Sequence, residues 1–402
     1  MQILTRGQRK LCQKTRLVTN ELPLYDDILV GASTRTPLES YPWSHTVGNL
    51  VNWARGYGDD YALGFSFDFL LSLAYIDTLG HFGNKIEFCP NAPEGFNSHL
   101  GFINLCSCCY RYQNKWQFQK ASKPQSGVIG KITSEVILAF MALIHDSIEE
   151  LAVIGGVDAM DAVIKRSNGD VIVAEIKASP LLTYPLLAKI DALGLTPHNG
   201  RLSLTRSQAD FCETGLYMHN GIVVPLGRPN SPLWPFEKGV AWVTDATNQE
   251  QVHACVETWK SAVEAYKNKS RGDNIFYLTN ACGKPPRSAA IRDGWPPKES
   301  VSDSKTSAGM DRTDDIKKGI YQTFKIGTYL NAKRPVKTAI ISNLPALRHS
   351  EDYVDPFVET FWAYEKDFIV KDGTAEIQTN SLHRPFDYLI TLVDPLLRGE
   401  NL

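Results

Sequence analysis

Two short runs rich in β-branched residues, 162–165 and 171–176, flank the polar tetrad Ser167-Asn168-Gly169-Asp170, whose asparagine and glycine tolerate the positive φ of a tight turn. The pattern predicts an antiparallel β-hairpin. Upstream, residues 131–150 bring Val136, Phe140, Ile144 and Ile148 round at four-residue intervals, with Ile137 and Met141 beside them, which is the broad apolar face of a core helix. Downstream, the apolar runs 222–226 and 240–244 predict buried strands, and 183–193 a helix. A helix over 249–267 carries Val252, Val256, Trp259, Val263 and Tyr266 on one side, and 274–279 reads as a further strand. Residues 313–325 predict a helix, 337–342 a strand, and 386–393 a closing helix stopped by Pro395. Helices alternating with strands define an α/β class, with a mixed β-sheet flanked by helices on both faces.

Three regions follow from the same pattern. Residues 1–125 mix aromatic-rich and turn-rich stretches, and their run 65–75 is too apolar to be exposed, which suits the core of an N-terminal accessory or DNA-recognition region. Residues 126–282 hold the helix, the hairpin and the strands that surround it. Residues 283–402 begin with a segment carrying Pro285, Pro286, Pro296 and Pro297, expected to be a long loop, and continue as a C-terminal extension. In that loop Lys284, Arg287, Arg292 and Lys298 with Trp295 would suit a basic flap on a phosphate backbone, or a plain linker.

The hairpin carries the candidate chemistry. With the turn centred near Asn168 or Gly169, Asp161 stands almost opposite Glu175, and Lys177 follows two residues along the same strand face. A one-residue slip of register would separate them. Clustered carboxylates repel and are costly to bury unless a cation neutralises them, and oxygen ligands suit magnesium, which binds phosphate oxygens and activates water. The competing reading is a surface hairpin with scattered charges. Against it, Glu175 and Lys177 are the polar positions of an otherwise apolar strand, where charge needs a reason.

Asp161, Glu175 and Lys177 resemble the motif of the PD-(D/E)XK nuclease superfamily, whose members include most type II restriction endonucleases. The resemblance covers about residues 130–190. It implies a restriction-endonuclease-like core, metal ligation by Asp161 and Glu175, and a water-orienting role for Lys177. In the family a helix before the hairpin often supplies another acid, and Glu135 takes that place here; as an acid near a helix N-terminus it is otherwise a dipole-compensating residue. This chain departs from the pattern in having no proline before Asp161, and Asp158 competes with Asp161 as first metal ligand.

A second segment adds a softer resemblance to restriction endonucleases: the run from Asp311 to Lys325, with Thr313 as N-cap and Asp314 and Asp315 in the first turn. Ile316, Ile320 and Phe324 form its apolar side. Arg312, Lys317, Lys318, Tyr321, Gln322 and Lys325 offer phosphate and base-edge hydrogen bonds, or else a solvated helix face. Together the two segments lead us to expect a Mg2+-dependent type II restriction endonuclease. It would act as a homodimer on double-stranded DNA and leave 5′-phosphates, with a cognate DNA methyltransferase as its genetic partner. A structure-selective or repair nuclease, or a non-catalytic zinc-containing DNA-binding protein, are the alternatives.

Composition sets the limits. With 402 residues and 43% hydrophobic content the chain can bury large cores, and a net charge of −2 argues against a purely electrostatic nucleic-acid binder while leaving room for a locally positive cleft. No signal-peptide pattern and no uninterrupted apolar span stand out, so a cytoplasmic location is expected. Eight cysteines are too sparse for a disulfide framework. Four cluster, however, as Cys89 and Cys106-Ser-Cys108-Cys109. Cys106 and Cys109 have the spacing of a zinc knuckle, which Cys89 with His99 or His81 could complete as a structural Zn2+ site; buried reduced thiols are the alternative. The run Gly127 to Thr133 fails as a phosphate loop, because its glycines are too close and Ile132 stands where a hydroxyl should bind magnesium.

Overall fold

The computed structural model describes residues 28, 33–34, 38–79, 86–113, 116–155, 160–195, 204–280, 283–286, 295–302, 307–331 and 336–393. Asp158, His81, Arg287 and Arg292 lie outside them. In chain order the strands are β1 (Ser33–Thr34), β2 (Glu87–Phe88), β3 (Ser98–Leu100), β4 (Ile148–Gly155), β5 (Ala162–Arg166), β6 (Val171–Ile176) and β7 (Leu186–Ala188). They continue with β8 (Thr214–Tyr217), β9 (Val223–Gly227), β10 (Lys337–Ser342), β11 (Phe368–Lys371), β12 (Thr374–Ile377) and β13 (Tyr388–Thr391). The longer helices are α1 (Ser44–Tyr57), α2 (Tyr61–Thr78), α3 (Ser107–Gln113), α4 (Ser126–Ile144), α5 (Phe236–Thr244), α6 (Gln249–Lys267) and α7 (Thr313–Asn331). The class is mixed α/β, as the sequence pattern implies.

The chain divides into two compact units, and both are discontinuous. One comprises 1–37, 145–177 and 310–402, the other 38–144 and 178–309. This division cuts across the linear regions 1–125, 126–282 and 283–402, because α4 and the hairpin fall in different units.

The first unit is built on a six-stranded sheet of order β1-β4-β5-β6-β10-β13. β4, β5 and β6 form an antiparallel meander, and β10 joins β6 in parallel, with β13 parallel to β10. A parallel neighbour requires a crossover, and the chain returns to β10 through α7. β6 is therefore bonded on both edges, and all six of its residues are buried. Ile316 and Ile320 of α7 pack with Ile340, Leu389 and Phe386 beneath it.

The second unit contains an antiparallel sheet of order β2-β3-β7-β8-β9 and the helices α1 to α6. Its central helix α2 is apolar all round and buried from Ala62 to Ile76, which is what a helix with no polar face requires. Asp68 stands inside that run. Its Oδ2 accepts the backbone N–H of Leu181 at 3.0 Å and of Leu182 at 2.8 Å, and the indole N–H of Trp259 at 2.7 Å, so one carboxyl pins a loop and a second helix to α2. Burial pushes this carboxyl up to about 8 against the pull of those three donors.

Several expected elements are corrected. The helix expected over 131–150 ends at Ile144, and Ile148 begins β4, which is buried continuously from Leu151 to Ile154. α4 is long and apolar enough to cross a membrane by length and composition alone, and most of it is buried in its unit. Residues 240–244 end helix α5 instead of forming a strand, and 274–278 form a 3-10 turn capped by Asp273, whose Oδ1 accepts the Ile275 N–H at 3.0 Å. Residues 183–193 hold β7 and a 3-10 turn, and 386–393 hold strand β13; neither is a helix. Short apolar runs carry too few periods to separate helix from strand.

Candidate active site

The hairpin forms with the expected turn. Ala162 pairs with Ala174 and Lys165 with Val171, while Gly169 takes φ +87° in the turn. Extending this register by one residue sets Asp161 opposite Glu175. The backbone binds Asp161 there from both sides, since its N–H donates to Ala174 O at 2.9 Å and its carbonyl accepts the N–H of Ile154 at 2.8 Å. Its side chain then turns back onto β6: Asp161 Oδ2 accepts the N–H of Ile176 at 2.9 Å.

Glu175 and Lys177 are two residues apart and share one face of the strand. Lys177 N–H donates to Ile341 O at 2.9 Å, so pairing with β10 fixes the lysine at the end of β6. Its ammonium contacts Glu175 Oε1. Across the hairpin register the Asp161 charge also acts on the Glu175 carboxyl. The glutamate is almost wholly buried; that burial, reinforced by the Asp161 charge and opposed by Lys177, pushes its carboxyl up to about 7. Two acids and an amine thus meet at the open end of the hairpin.

α7 closes over the same end. A Cβ built on Gly319 would lie 3.4 Å from Lys177 Cγ and 3.7 Å from Ile340 Cδ1, both ordinary contact distances, so at this position the helix lies directly against the lysine stem. Around this glycine Lys317, Lys318 and Lys325 are exposed, and Tyr321 is 64% exposed. Gln322 is half-buried, with an Oε1 that makes no hydrogen bond. Two of the expected DNA contacts are already engaged within the unit. Arg312 pairs with Asp314 at 3.8 Å and Asp315 at 3.9 Å, and Lys317 lies over the Tyr353 ring at 4.9 Å. Phe324, expected on the buried side, is 38% exposed and meets Trp362 edge-on, with ring centroids 5.3 Å apart. The buried side continues instead through Thr323 and Ile326.

Sequence reading missed Asp311. It is buried just before α7 and accepts the backbone N–H of Arg348 at 3.0 Å and Nδ1 of His349 at 2.9 Å, which anchors the start of the helix to the segment after β10. An acid so close to Asp314 and Asp315 reads as one more helix-dipole partner, and nothing local distinguishes it.

Glu135 belongs to the second unit, where it is buried on α4 with Lys131 Nζ at 3.9 Å. The thiol cluster belongs there too. The Sγ atoms of Cys89, Cys106 and Cys109 lie within 4.8 Å of one another and are buried, so this group can hold a metal ion. The proposed flap residue Trp295 is committed to that unit's own packing, stacking edge-on with Phe118 at 5.4 Å.

No protein-family model matches this chain, and neither a curated protein nor a solved structure matches it.

Proposed function

We propose that the first unit is a PD-(D/E)XK-type nuclease centre and the protein a Mg2+-dependent type II restriction endonuclease that cuts double-stranded DNA. One observation carries the reading: the hairpin register sets Asp161 opposite Glu175 on the neighbouring strand, with Lys177 on Glu175. A strand buried on both faces does not place two acids together without a countercharge, and one ammonium balances only one of them. Oxygen donors on a half-buried site suit a hard divalent ion, so Asp161 and Glu175 would hold magnesium.

Bound there, the ion would neutralise both carboxylates, draw in a phosphate oxygen and lower the pKa of water. Lys177 orients the attacking water and offsets charge on the phosphate. The water oxygen bonds to phosphorus, the bond to O3′ breaks, and O3′ takes up a proton, so the products carry 5′-phosphates and 3′-hydroxyls. Lys318, Tyr321 and Lys325 on the exposed side of α7, with the half-buried Gln322 beside them, would contact the duplex. A palindromic site with one centre per chain calls for a homodimer in the cytoplasm, protected by a cognate DNA methyltransferase. The thiol cluster is read as a structural Zn2+ site.

Plasmid digestion with magnesium and with EDTA tests this. Discrete fragments with 5′-phosphate ends, abolished by EDTA, are expected. A smear would replace site-specific cutting by non-specific nuclease activity, and no cutting at all would leave DNA binding without catalysis.

A further inference from the structure

We propose that the amide oxygen of Gln322 holds the water that attacks phosphorus, which adds this residue to the centre formed by Asp161, Glu175 and Lys177. The proposal rests on the nuclease reading and deepens it, taking Gln322 from the duplex contacts and giving it to the reaction. Its neighbours Lys318 and Lys325 are open to solvent, whereas Gln322 Oε1 is buried and makes no hydrogen bond among the described residues. A buried acceptor left unpaired is costly and calls for a partner.

The fold turns that acceptor toward the centre. A Cβ on Gly319 meets Ile340 Cδ1 at 3.7 Å and one on Gly327 meets Thr338 Cγ2 at 3.5 Å, so α7 runs antiparallel to β10. β6 is parallel to β10, with Glu175 paired to Ile340, so the step of about 4.5 Å from Gly319 to Gln322 leads back along β6 from Lys177 toward Glu175. The direction round the helix agrees. Successive residues turn by about 100°, which puts Ile320 and Gln322 on opposite sides of the line through Gly319. Ile320 packs with Phe386 and Leu389 on the β13 side of β10, so Gln322 faces the other side, where β6 and the hairpin lie. Glu175 projects from the same face of the sheet as its partner Ile340, and Asp161 stands opposite Glu175.

An acceptor is what the proposed centre needs. Asp161 and Glu175 are committed to the ion, the ion takes a lone pair of the water, and the Lys177 ammonium has three donors and no acceptor. None of these fixes where the hydrogens of the water point. The amide oxygen of Gln322 accepts one of them, which turns a lone pair of the water toward phosphorus. It takes a hydrogen bond and not the proton, so no bond to Gln322 forms or breaks.

Gln322→Met keeps the length and bulk of the side chain and removes its hydrogen bonding. Single-turnover cleavage of plasmid DNA at saturating magnesium by wild type and Gln322→Met tests the proposal, with DNA affinity, magnesium affinity and thermal unfolding measured on the same full-chain preparations. Cleavage should fall roughly 100-fold, the scale of a reacting group displaced by about 1 Å, while both affinities stay nearly unchanged. The metal-free variant should melt no lower than wild type, because the change removes an acceptor that had no partner. Gln322→Ala should lose the same rate if methionine disturbs the packing. Cleavage by Gln322→Met at the wild-type rate, or a lower melting temperature that marks a structural role, overturns the assignment. So does a loss confined to DNA affinity, which returns Gln322 to the duplex, or a weakened magnesium affinity, which makes it a metal ligand. Wild-type protein that leaves DNA uncut in magnesium overturns the nuclease reading and this proposal with it.

Discussion

Asp161 Oδ2 accepts the backbone N–H of Ile176 across the hairpin at 2.9 Å, so the first acid is locked onto the strand that carries the second. The bond has a structural role separable from metal binding. An asparagine keeps an acceptor for that N–H and loses the charge, whereas alanine loses both. Asp161→Asn should therefore fold close to wild-type stability and lose magnesium binding and cleavage. Asp161→Ala should lose these and also about 1 kcal/mol of stability, the ordinary worth of such a bond. Thermal unfolding and magnesium titration of the two variants check this, and equal stabilities would deny the cross-strand lock.

Glu175 gives a pH dependence whose sign is fixed. Its carboxyl is raised from an ordinary value of 4.5 to about 7, first by burial and then by Asp161. A group raised on folding stabilises fully below its ordinary pKa and loses that contribution as pH rises through the folded value. The metal-free protein should lose stability between about pH 4.5 and pH 7, and magnesium should restore it, since the ion binds the carboxylate. Magnesium affinity should accordingly rise with pH through neutrality with proton release, and Glu175→Gln should abolish that dependence. Calorimetry in buffers of different ionisation enthalpy measures the released proton.

Gly319 sits where α7 meets the stem of Lys177. Alanine there adds a Cβ at ordinary contact distance, 3.4 Å from Lys177 Cγ, and should gain up to about 1 kcal/mol of helix propensity while retaining cleavage. Leucine must displace the lysine or the helix. Gly319→Leu should cut cleavage severely without removing a single proposed ligand, as single-turnover kinetics would show.

The hairpin was legible because three local signals agree in it: β-branched arms, an Asn-Gly turn, and a register in which residue numbers of partners sum to a constant. The convergence of Asp161, Glu175 and Lys177 follows from that register alone. What failed lay beyond local signals. Ile148 extends the four-residue repeat of α4 although the chain has already turned at His145 to enter β4, because one apolar residue fits both periods. Runs such as 240–244 and 386–393 are too short to show a period, and tertiary packing decides them. The division into two interleaved units was invisible for the same reason, since a contact between residues 175 and 340 leaves no trace in either segment.

The central claim is that Lys177, held on Glu175, performs chemistry and is more than a local countercharge. Cleavage of a single-site plasmid by Lys177→Ala, with DNA affinity and folding measured on the same preparation, tests it most directly. Cleavage should fall by about 100-fold or more, the scale of a lost proton-handling group, with affinity and circular dichroism nearly unchanged. Cleavage by Lys177→Ala at the wild-type rate would contradict the account.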